Sequence, residues 1–208
     1  MTKIKICGIT NYKDAANAVK LGADFLGFNF YKKSPRCIEK AKARAIIKSL
    51  PKRVKKAGVF VNESIKNIKA TADICGIDLV QLSGDEDTQF MSNLKKMLNK
   101  KIIKCLRVKD KDEIHKKNFL EGNFFDYILF DSFKEGFYGG TGTKFNWEII
   151  EGIDKNKLFL AGGLNPSNVK LAIRKVKPYA VDVCSGVELH PRKKDFGKMK
   201  GFIEAVKQ

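Results

Sequence analysis

Short apolar runs recur along the chain, and each is followed by a polar segment whose apolar residues have helical spacing. Runs of this kind, rich in Val, Ile, Leu and Phe, are typical of buried β-strands. The predicted strands cover residues 3–7, 25–30, 57–61, 79–82, 102–108, 127–131, 158–161 and 180–184. The predicted helices cover residues 13–21, 38–50, 64–75, 86–99, 111–120, a short stretch around Trp147, 165–176 and 195–206.

This alternation predicts an α/β protein with a parallel sheet covered by helices. Eight strand–helix units in 208 residues fit a compact (β/α)8 barrel, the TIM barrel. An open, doubly wound sheet is the alternative fold, but no G-x-G-x-x-G motif follows the first strand. No linker or shift in composition divides the chain, so we expect residues 1–208 to form one barrel domain.

The chain carries 41 basic and 23 acidic side chains, a formal net charge of +18. Such a charge suggests nucleic-acid binding, but most of the basic residues are Lys and they are spread along the whole chain. Because Arg favours bidentate phosphate and base contacts, we expect solvated helix faces and no nucleic-acid partner. The positive field would instead attract a small anionic substrate. No apolar run approaches the roughly 18–20 residues of a membrane span, so no membrane partner is expected.

Five cysteines and two histidines limit the chemistry that a site can use. The number of cysteines is odd and no C-x-x-C pair occurs, so we expect neither a disulfide framework nor a metal site. Free thiols indicate a reducing, cytoplasmic setting.

Two reactive groups lie at strand ends, the positions from which barrels take their chemistry. Cys7 ends the first predicted strand, where Gly8 exposes its thiol. Asp131 ends the sixth, after apolar residues among which a carboxylate is costly to bury. A thiolate and an acid on opposite sides of the barrel suit removal and donation of a proton. The alternatives are an inert core thiol for Cys7 and a helix cap or turn for Asp131.

Glycine-rich turns follow the last two strands, where barrels often bind a phosphate. Gly162-Gly163 and Ser185-Gly186 are therefore candidate phosphate-binding turns, and tight turns without a ligand are the alternative. No G-x-x-x-x-G-K-[ST] loop occurs, which favours a sugar phosphate over a nucleoside triphosphate. Arg36 is a candidate for bidentate binding of a carboxylate or a surface residue.

Several motifs occur in a fixed order from residue 3 to the C-terminal helix. They are Lys5-Ile6-Cys7-Gly8-Ile9-Thr10, Ser34-Pro35-Arg36, Gly58-Val59-Phe60-Val61-Asn62, Val80-Gln81-Leu82, Gly139-Gly140-Thr141-Gly142, Phe145-Asn146-Trp147, Ala161-Gly162-Gly163-Leu164 and Asp182-Val183-Cys184-Ser185-Gly186-Val187-Glu188. Each is weak alone, but the ordered set resembles the phosphoribosylanthranilate isomerases of tryptophan biosynthesis.

The resemblance implies a (β/α)8 enzyme without a cofactor, a monomer or homodimer. Such an enzyme converts N-(5-phosphoribosyl)anthranilate into 1-(2-carboxyphenylamino)-1-deoxyribulose 5-phosphate by an Amadori rearrangement. The resemblance makes Asp131 the general acid at the ring oxygen and Cys7, as thiolate, the base that removes the C2 proton. Arg36 would bind the anthranilate carboxylate. The remaining residues expected to contact substrate are Gln81, Asp182 and, at the phosphate, Gly162, Gly163, Ser185 and Gly186.

Two positions depart from the family pattern. Ser83 stands where the family often has His, and Pro191-Arg192 replaces Pro-Gly. The Gly139–Gly142 stretch is either a lid over the site or a surface loop.

Two other functions are alternatives to this reaction. A related sugar-phosphate isomerase of histidine biosynthesis, or a bifunctional barrel acting on both substrates, would typically have Asp at the first strand end, where this chain has Cys7, and an internal repeat. A basic barrel that only binds RNA or DNA would show steep salt dependence and indifference to substitution of Cys7.

Overall fold

The computed structural model describes residues 1–108, 123–132 and 153–208, and in these ranges eight parallel strands close a barrel in chain order. The strands are β1 (Lys3–Ile6), β2 (Phe25–Asn29), β3 (Lys55–Phe60), β4 (Leu79–Leu82), β5 (Lys101–Val108), β6 (Tyr127–Ser132), β7 (Leu158–Leu160) and β8 (Ala180–Val183). Pairing of β8 with β1 completes the barrel. The predicted (β/α)8 fold is confirmed, and the open sheet is excluded.

Helices connect the strands over the outside of the barrel. Those in the described ranges are α1 (Tyr12–Leu21), α2 (Lys40–Lys48), α3 (Ile65–Cys75), α4 (Thr88–Met97), α5 (Val169–Val176) and α6 (Phe196–Lys207). Ser64 caps α3 as predicted, because its side chain accepts a hydrogen bond from the Asn67 N–H. The predicted helices at 111–120 and around Trp147, and the Gly139–Gly142 motif, lie outside the described residues.

Two local features differ from the sequence-based expectation. Helix α5 begins at Val169 rather than near residue 165, because the Asn165 and Asn168 side chains hold the preceding residues in a polar turn. After β8 a small hairpin forms from β9 (Glu188–His190) and β10 (Lys193–Lys194), where a loop was expected. Strands of two or three residues are too short to show the alternation of apolar and polar residues by which a strand is predicted. The departure at Pro191-Arg192 lies in the hairpin turn, where Arg192 has φ of +76°.

The barrel interior is layered along its axis. Its N-terminal part is filled by an apolar cluster in which Phe159 makes edge contacts with Phe25 and Tyr127, each with ring centroids 5.3 Å apart. A separate, larger apolar cluster joins the outer face of the strands to the helices. The polar residues of the interior are therefore concentrated toward the C-terminal ends of the strands, where the candidate site residues lie.

Lys5 is a fully buried cation within the barrel. Its Nζ donates hydrogen bonds to Asp182 Oδ2 at 2.8 Å and to Gln81 Oε1 at 2.9 Å. Burial is the largest single influence and acts to lower the pKa of Lys5, but the charges and hydrogen bonds of Asp182 and Cys7 together outweigh it and hold the pKa above its ordinary value. The interior of the barrel therefore contains a charged ammonium group whose counter-charge comes from β8.

We expect Lys5→Met to lower the free energy of unfolding by about 3–5 kcal/mol, because it leaves Asp182 as a buried charge without its partner. Lys3→Met is a matched control on the same strand. Lys3 pairs with Asp24 near the surface at 2.9 Å, and exposed pairs contribute about 0–1 kcal/mol. Urea unfolding of the two variants and the parent measures both losses. Similar small losses in the two variants would contradict a stabilising role for the buried pair.

Candidate active site

A cavity of about 230 Å³ lies at the C-terminal ends of the strands and gathers most of the candidate residues. Those that line it are Cys7, Arg36, Gln81, Asp131, Gly162, Gly163, Asp182 and Ser185. Gly186 is not part of the lining. It packs against the loop after β7, where a side chain would collide with the Leu164 carbonyl oxygen. The structure thus brings residues from six strand ends to one cavity, and Gly186 lies outside its lining.

Cys7 follows β1 directly, and two glycines make room around it. Its backbone N–H donates to the Val183 carbonyl at 2.9 Å, which continues the pairing of β1 with β8. A Cβ at Gly27 would lie 2.6 Å from the Cys7 Sγ. Gly8 has φ of +75°, and a Cβ there would lie 2.8 Å from Arg36 Cδ and 2.9 Å from Cys184 Sγ. The backbone therefore permits the two thiols and the arginine to pack closely.

Asp131 lies in β6, three strands from β1 around the barrel, and lines the same cavity as Cys7. Only 9% of the residue is exposed. It pairs in register with Arg107 of β5. Because it belongs to the strand, it is not the turn residue that the alternative interpretation proposed. A carboxyl and a thiol thus reach one cavity from different sides.

Lys5 supports the floor of this cavity, and the sequence analysis assigned it no role. Its acceptor Gln81 also donates to the Ser83 Oγ at 3.1 Å, so the small Ser83 hydroxyl completes a buried hydrogen-bond chain. The other Asp182 oxygen, Oδ1, is buried and receives no hydrogen bond from any described residue. Lys5 and Cys7 are two residues apart in the β1 segment and so share a face. That spacing is the signal that points to Lys5.

Cys105 is the third thiol in the cavity lining, and it lies in β5. Burial raises the pKa of Cys105 to about 12. It is therefore a neutral thiol at physiological pH and not a candidate base.

Cys184, which follows β8, lies beside Cys7 in the cavity lining, and hydrogen bonding between the two thiols shifts the pKa of each. The bond from Cys7 lowers the pKa of Cys184 to about 7, and the positive charges of Lys194 and Arg36 act in the same direction against burial. The same bond and burial raise the pKa of Cys7, although the charge of Lys5 opposes them. Within the pair the pKa of Cys184 is therefore lowered and that of Cys7 raised, whereas the family resemblance implies a thiolate at Cys7.

Arg36 is held in place by a carboxylate of the protein itself. Its Nε and Nη2 donate to the two Glu188 oxygens at 2.9 and 2.7 Å, and Lys194 Nζ donates to Glu188 Oε1 at 3.0 Å. The hydrogen bond with Glu188 raises the pKa of Arg36. Burial acts to raise the pKa of Glu188, but Arg36 and Lys194 lower it overall. The bidentate contact expected of Arg36 is thus made to Glu188, and a ligand carboxylate would use its remaining N–H groups.

The turns after β7 and β8 present backbone toward the cavity. Gly162 and Gly163 have φ of +84° and +63°, conformations that favour glycine. The Asn168 side chain donates to the Gly163 carbonyl at 3.0 Å and holds the turn. Ser185 begins a single 3-10 turn, whose first N–H groups have no partner inside the turn. This pairing of turns is suited to an anionic group.

The described residues contain neither a metal-binding cluster nor a membrane-spanning helix. Within 1–108, 123–132 and 153–208, no cluster of three or more His, Cys, Asp or Glu side chains could hold a metal ion. No helix in those ranges is long and apolar enough to cross a membrane.

Comparison with known proteins gives consistent results. The family model for N-(5'-phosphoribosyl)anthranilate (PRA) isomerase matches residues 4–205. The isomerase of that name from Aquifex aeolicus is 49% identical over 210 residues, covering 100% of this chain and 99% of the relative. The crystal structure of the Thermotoga maritima isomerase has a TM-score of 0.90 at 40% identity, covering 100% of this chain and 99% of that one.

A further solved isomerase contains reduced 1-(o-carboxyphenylamino)-1-deoxyribulose 5-phosphate. It has a TM-score of 0.86 at 38% identity and covers 100% of this chain and 99% of its own. Fold, length and sequence all agree with the family model over nearly the whole chain. The chain therefore belongs to the N-(5'-phosphoribosyl)anthranilate isomerase family.

Proposed function

We propose that this protein converts N-(5-phosphoribosyl)anthranilate into 1-(2-carboxyphenylamino)-1-deoxyribulose 5-phosphate in tryptophan biosynthesis. The observation that carries the proposal is the shared cavity of Cys7 and Asp131, which also contains Arg36 and the turns after β7 and β8. An acid, a base, a cation and a pair of glycine-rich turns match the groups of this substrate. The family membership supports the same reaction.

Asp131 acts as the general acid in the first step. It donates a proton to the ring oxygen, the C1–O bond breaks, and the sugar opens to a protonated Schiff base. Cys7 then removes the C2 proton, and the C–H electron pair forms the enolamine. The Cys7 proton then passes to C1 while the enol O–H proton passes to the Asp131 carboxylate, which leaves the ketone at C2 and restores both groups. Lys5, beneath Cys7, stabilises the thiolate that this step requires.

The substrate lies with its phosphate at Gly162, Gly163 and Ser185 and its carboxylate near Arg36. Gly186 supports the phosphate turn from behind, since its missing side chain lets the turn pack on the loop after β7. Gln81 orients Lys5 at the floor of the cavity. Asp182 Oδ1, a buried acceptor in the cavity lining, accepts a hydrogen bond from a sugar hydroxyl.

The organisation proposed for the protein is a single barrel domain over residues 1–208, as a monomer or homodimer. All five cysteines are free thiols. That state fits a reducing, cytoplasmic setting, which we propose as its location.

Replacing either proton-transfer group is expected to remove most of the activity. Cys7→Ser and Asp131→Asn should each lower kcat by about a hundredfold or more, the contribution of a general base or acid. The assay generates the substrate in situ and follows the loss of its fluorescence under steady-state conditions. Cys75→Ser is the control, because Cys75 is a buried thiol in α3 outside the cavity.

A folded wild-type protein without turnover would contradict the proposed reaction. Turnover by Cys7→Ser close to that of the wild type would support the proposed reaction but contradict the role of Cys7 as its base.

Binding of phosphate at the glycine turn gives a second prediction. Inorganic phosphate should inhibit competitively, and chloride at the same ionic strength should not. In Gly163→Ala the KM and the inhibition constant of phosphate should rise together by about tenfold, because an L-residue at φ +63° costs about 1–2 kcal/mol and distorts the turn. Gly76→Ala, at φ +72° after α3, is the matched control. Equal inhibition of both variants by phosphate would place the anion elsewhere.

A further inference from the structure

The ends of β1 and β8 bring two thiols together inside the barrel. Ile6 pairs in register with Val183, so Cys7 and Cys184 are the next residues on adjacent strands, about 4.8 Å apart. Each lies two residues beyond a member of the Lys5–Asp182 pair and therefore on the same inner face. Both residues line the cavity.

Five charged groups from different elements lie around the thiols, and Lys33 and Asp131 line the same cavity. Lys5 lies on β1, Asp182 on β8, Arg36 after β2, Glu188 on β9 and Lys194 on β10. With the two cysteines they form what we call the thiol cluster. Its three cations and two carboxylates leave one positive charge, so one thiolate shared by Cys7 and Cys184 makes the cluster neutral.

The cations nearest Cys184 are not those nearest Cys7. Lys194 Nζ lies 3.8 Å from the Cys184 Sγ and donates to the Cys184 carbonyl at 3.0 Å. Lys194 is itself buried and bound to Glu188. Arg36 Cδ and the same sulfur both lie close to Gly8, where a Cβ would be 2.8 and 2.9 Å from them. Cys184 thus has Lys194 and Arg36 near its sulfur, whereas Cys7 has Lys5.

We propose that Cys184 is a positioning residue that accepts the Cys7 proton and so prepares Cys7 to remove the substrate C2 proton. The inference rests on the proposed isomerisation. The Cys7 S–H bond breaks, the Cys184 S–H bond forms, and the negative charge passes from Cys184 to Cys7. Cys7 then takes the C2 proton as the C–H electron pair moves into the enolamine. Both thiols are now protonated; one thiol proton passes to C1 and the enol O–H proton passes to the Asp131 carboxylate, which restores the thiol pair and the acid.

The shared thiolate has a measurable consequence in the free protein. Thiolates absorb in the ultraviolet, so a pH titration without substrate counts them. The pKa of Cys184 is about 7, against about 8.5 for an ordinary thiol. We expect one thiolate to form near neutral pH in the wild type, in Cys7→Ser and in the control Cys75→Ser, and to be absent in Cys184→Ser. A neutral-pH thiolate that persists in Cys184→Ser and disappears in Cys7→Ser overturns the proposal.

The pH dependence of turnover tests the catalytic use of the pair. In Cys184→Ser the acid limb of kcat/KM should move up by about 1.5 pH units, toward that of a lone thiol. At pH 7 this is a loss of about 10–30-fold, recovered near pH 9, with KM unchanged. A merely structural role would lower activity equally at every pH. An unchanged profile or a uniform loss overturns the proposal, and thermal unfolding of the variant confirms that it is folded.

The two measurements distinguish failure of this inference from failure of the proposed function. Wild-type turnover with the neutral-pH thiolate on Cys7 overturns the inference alone. A thiolate on Cys184 without wild-type turnover overturns the isomerisation, and with it the catalytic use of the pair.

Discussion

A lysine ammonium inside the barrel requires a counter-charge at a fixed place, and much of the site depends on that requirement. Lys5 is fully buried, and a buried cation without a partner is strongly destabilising. Asp182 supplies the charge and Gln81 a further acceptor, which ties β1 to β8 and β4. The apolar layer lies on one side of this network and the cavity on the other. The Lys5–Asp182 ion pair thus forms the floor of the cavity, directly below Cys7.

The same rule governs the other buried lysines of the described ranges. Lys104 donates to Glu86 at 2.7 Å, and Glu86 accepts the Asn62 N–H, so this pair holds the loops after β3 and β4. Lys194 joins the hairpin after β8 to Glu188. A few lysines of this Lys-rich chain therefore form buried ion pairs. Each of these ion pairs fixes the position of a neighbouring loop at the mouth of the barrel.

The charge of the site depends on which cations each buried carboxylate neutralises. Glu188 neutralises part of two cations and fixes Arg36, so Arg36 offers a ligand only the donors that Glu188 leaves. The surplus positive charge stabilises one thiolate among the paired cysteines. A base formed in this way needs no histidine, and Ser83 in the cavity lining accepts a hydrogen bond from Gln81 instead. Charge balance in the thiol cluster and proton removal from the substrate are therefore linked.

The eight strands, the barrel and the strand-end positions of Cys7, Asp131 and the glycine turns can be predicted from the amino-acid sequence. These follow from periodicity and from the rule that barrel sites lie at the C-terminal ends of strands. The partners of the site residues depend on the folded barrel. Lys5 and Asp182 are 177 residues apart, and Arg36 and Glu188 are 152 apart. Such contacts depend on barrel closure and strand register, which are set by packing of the whole chain and leave no local pattern in the sequence.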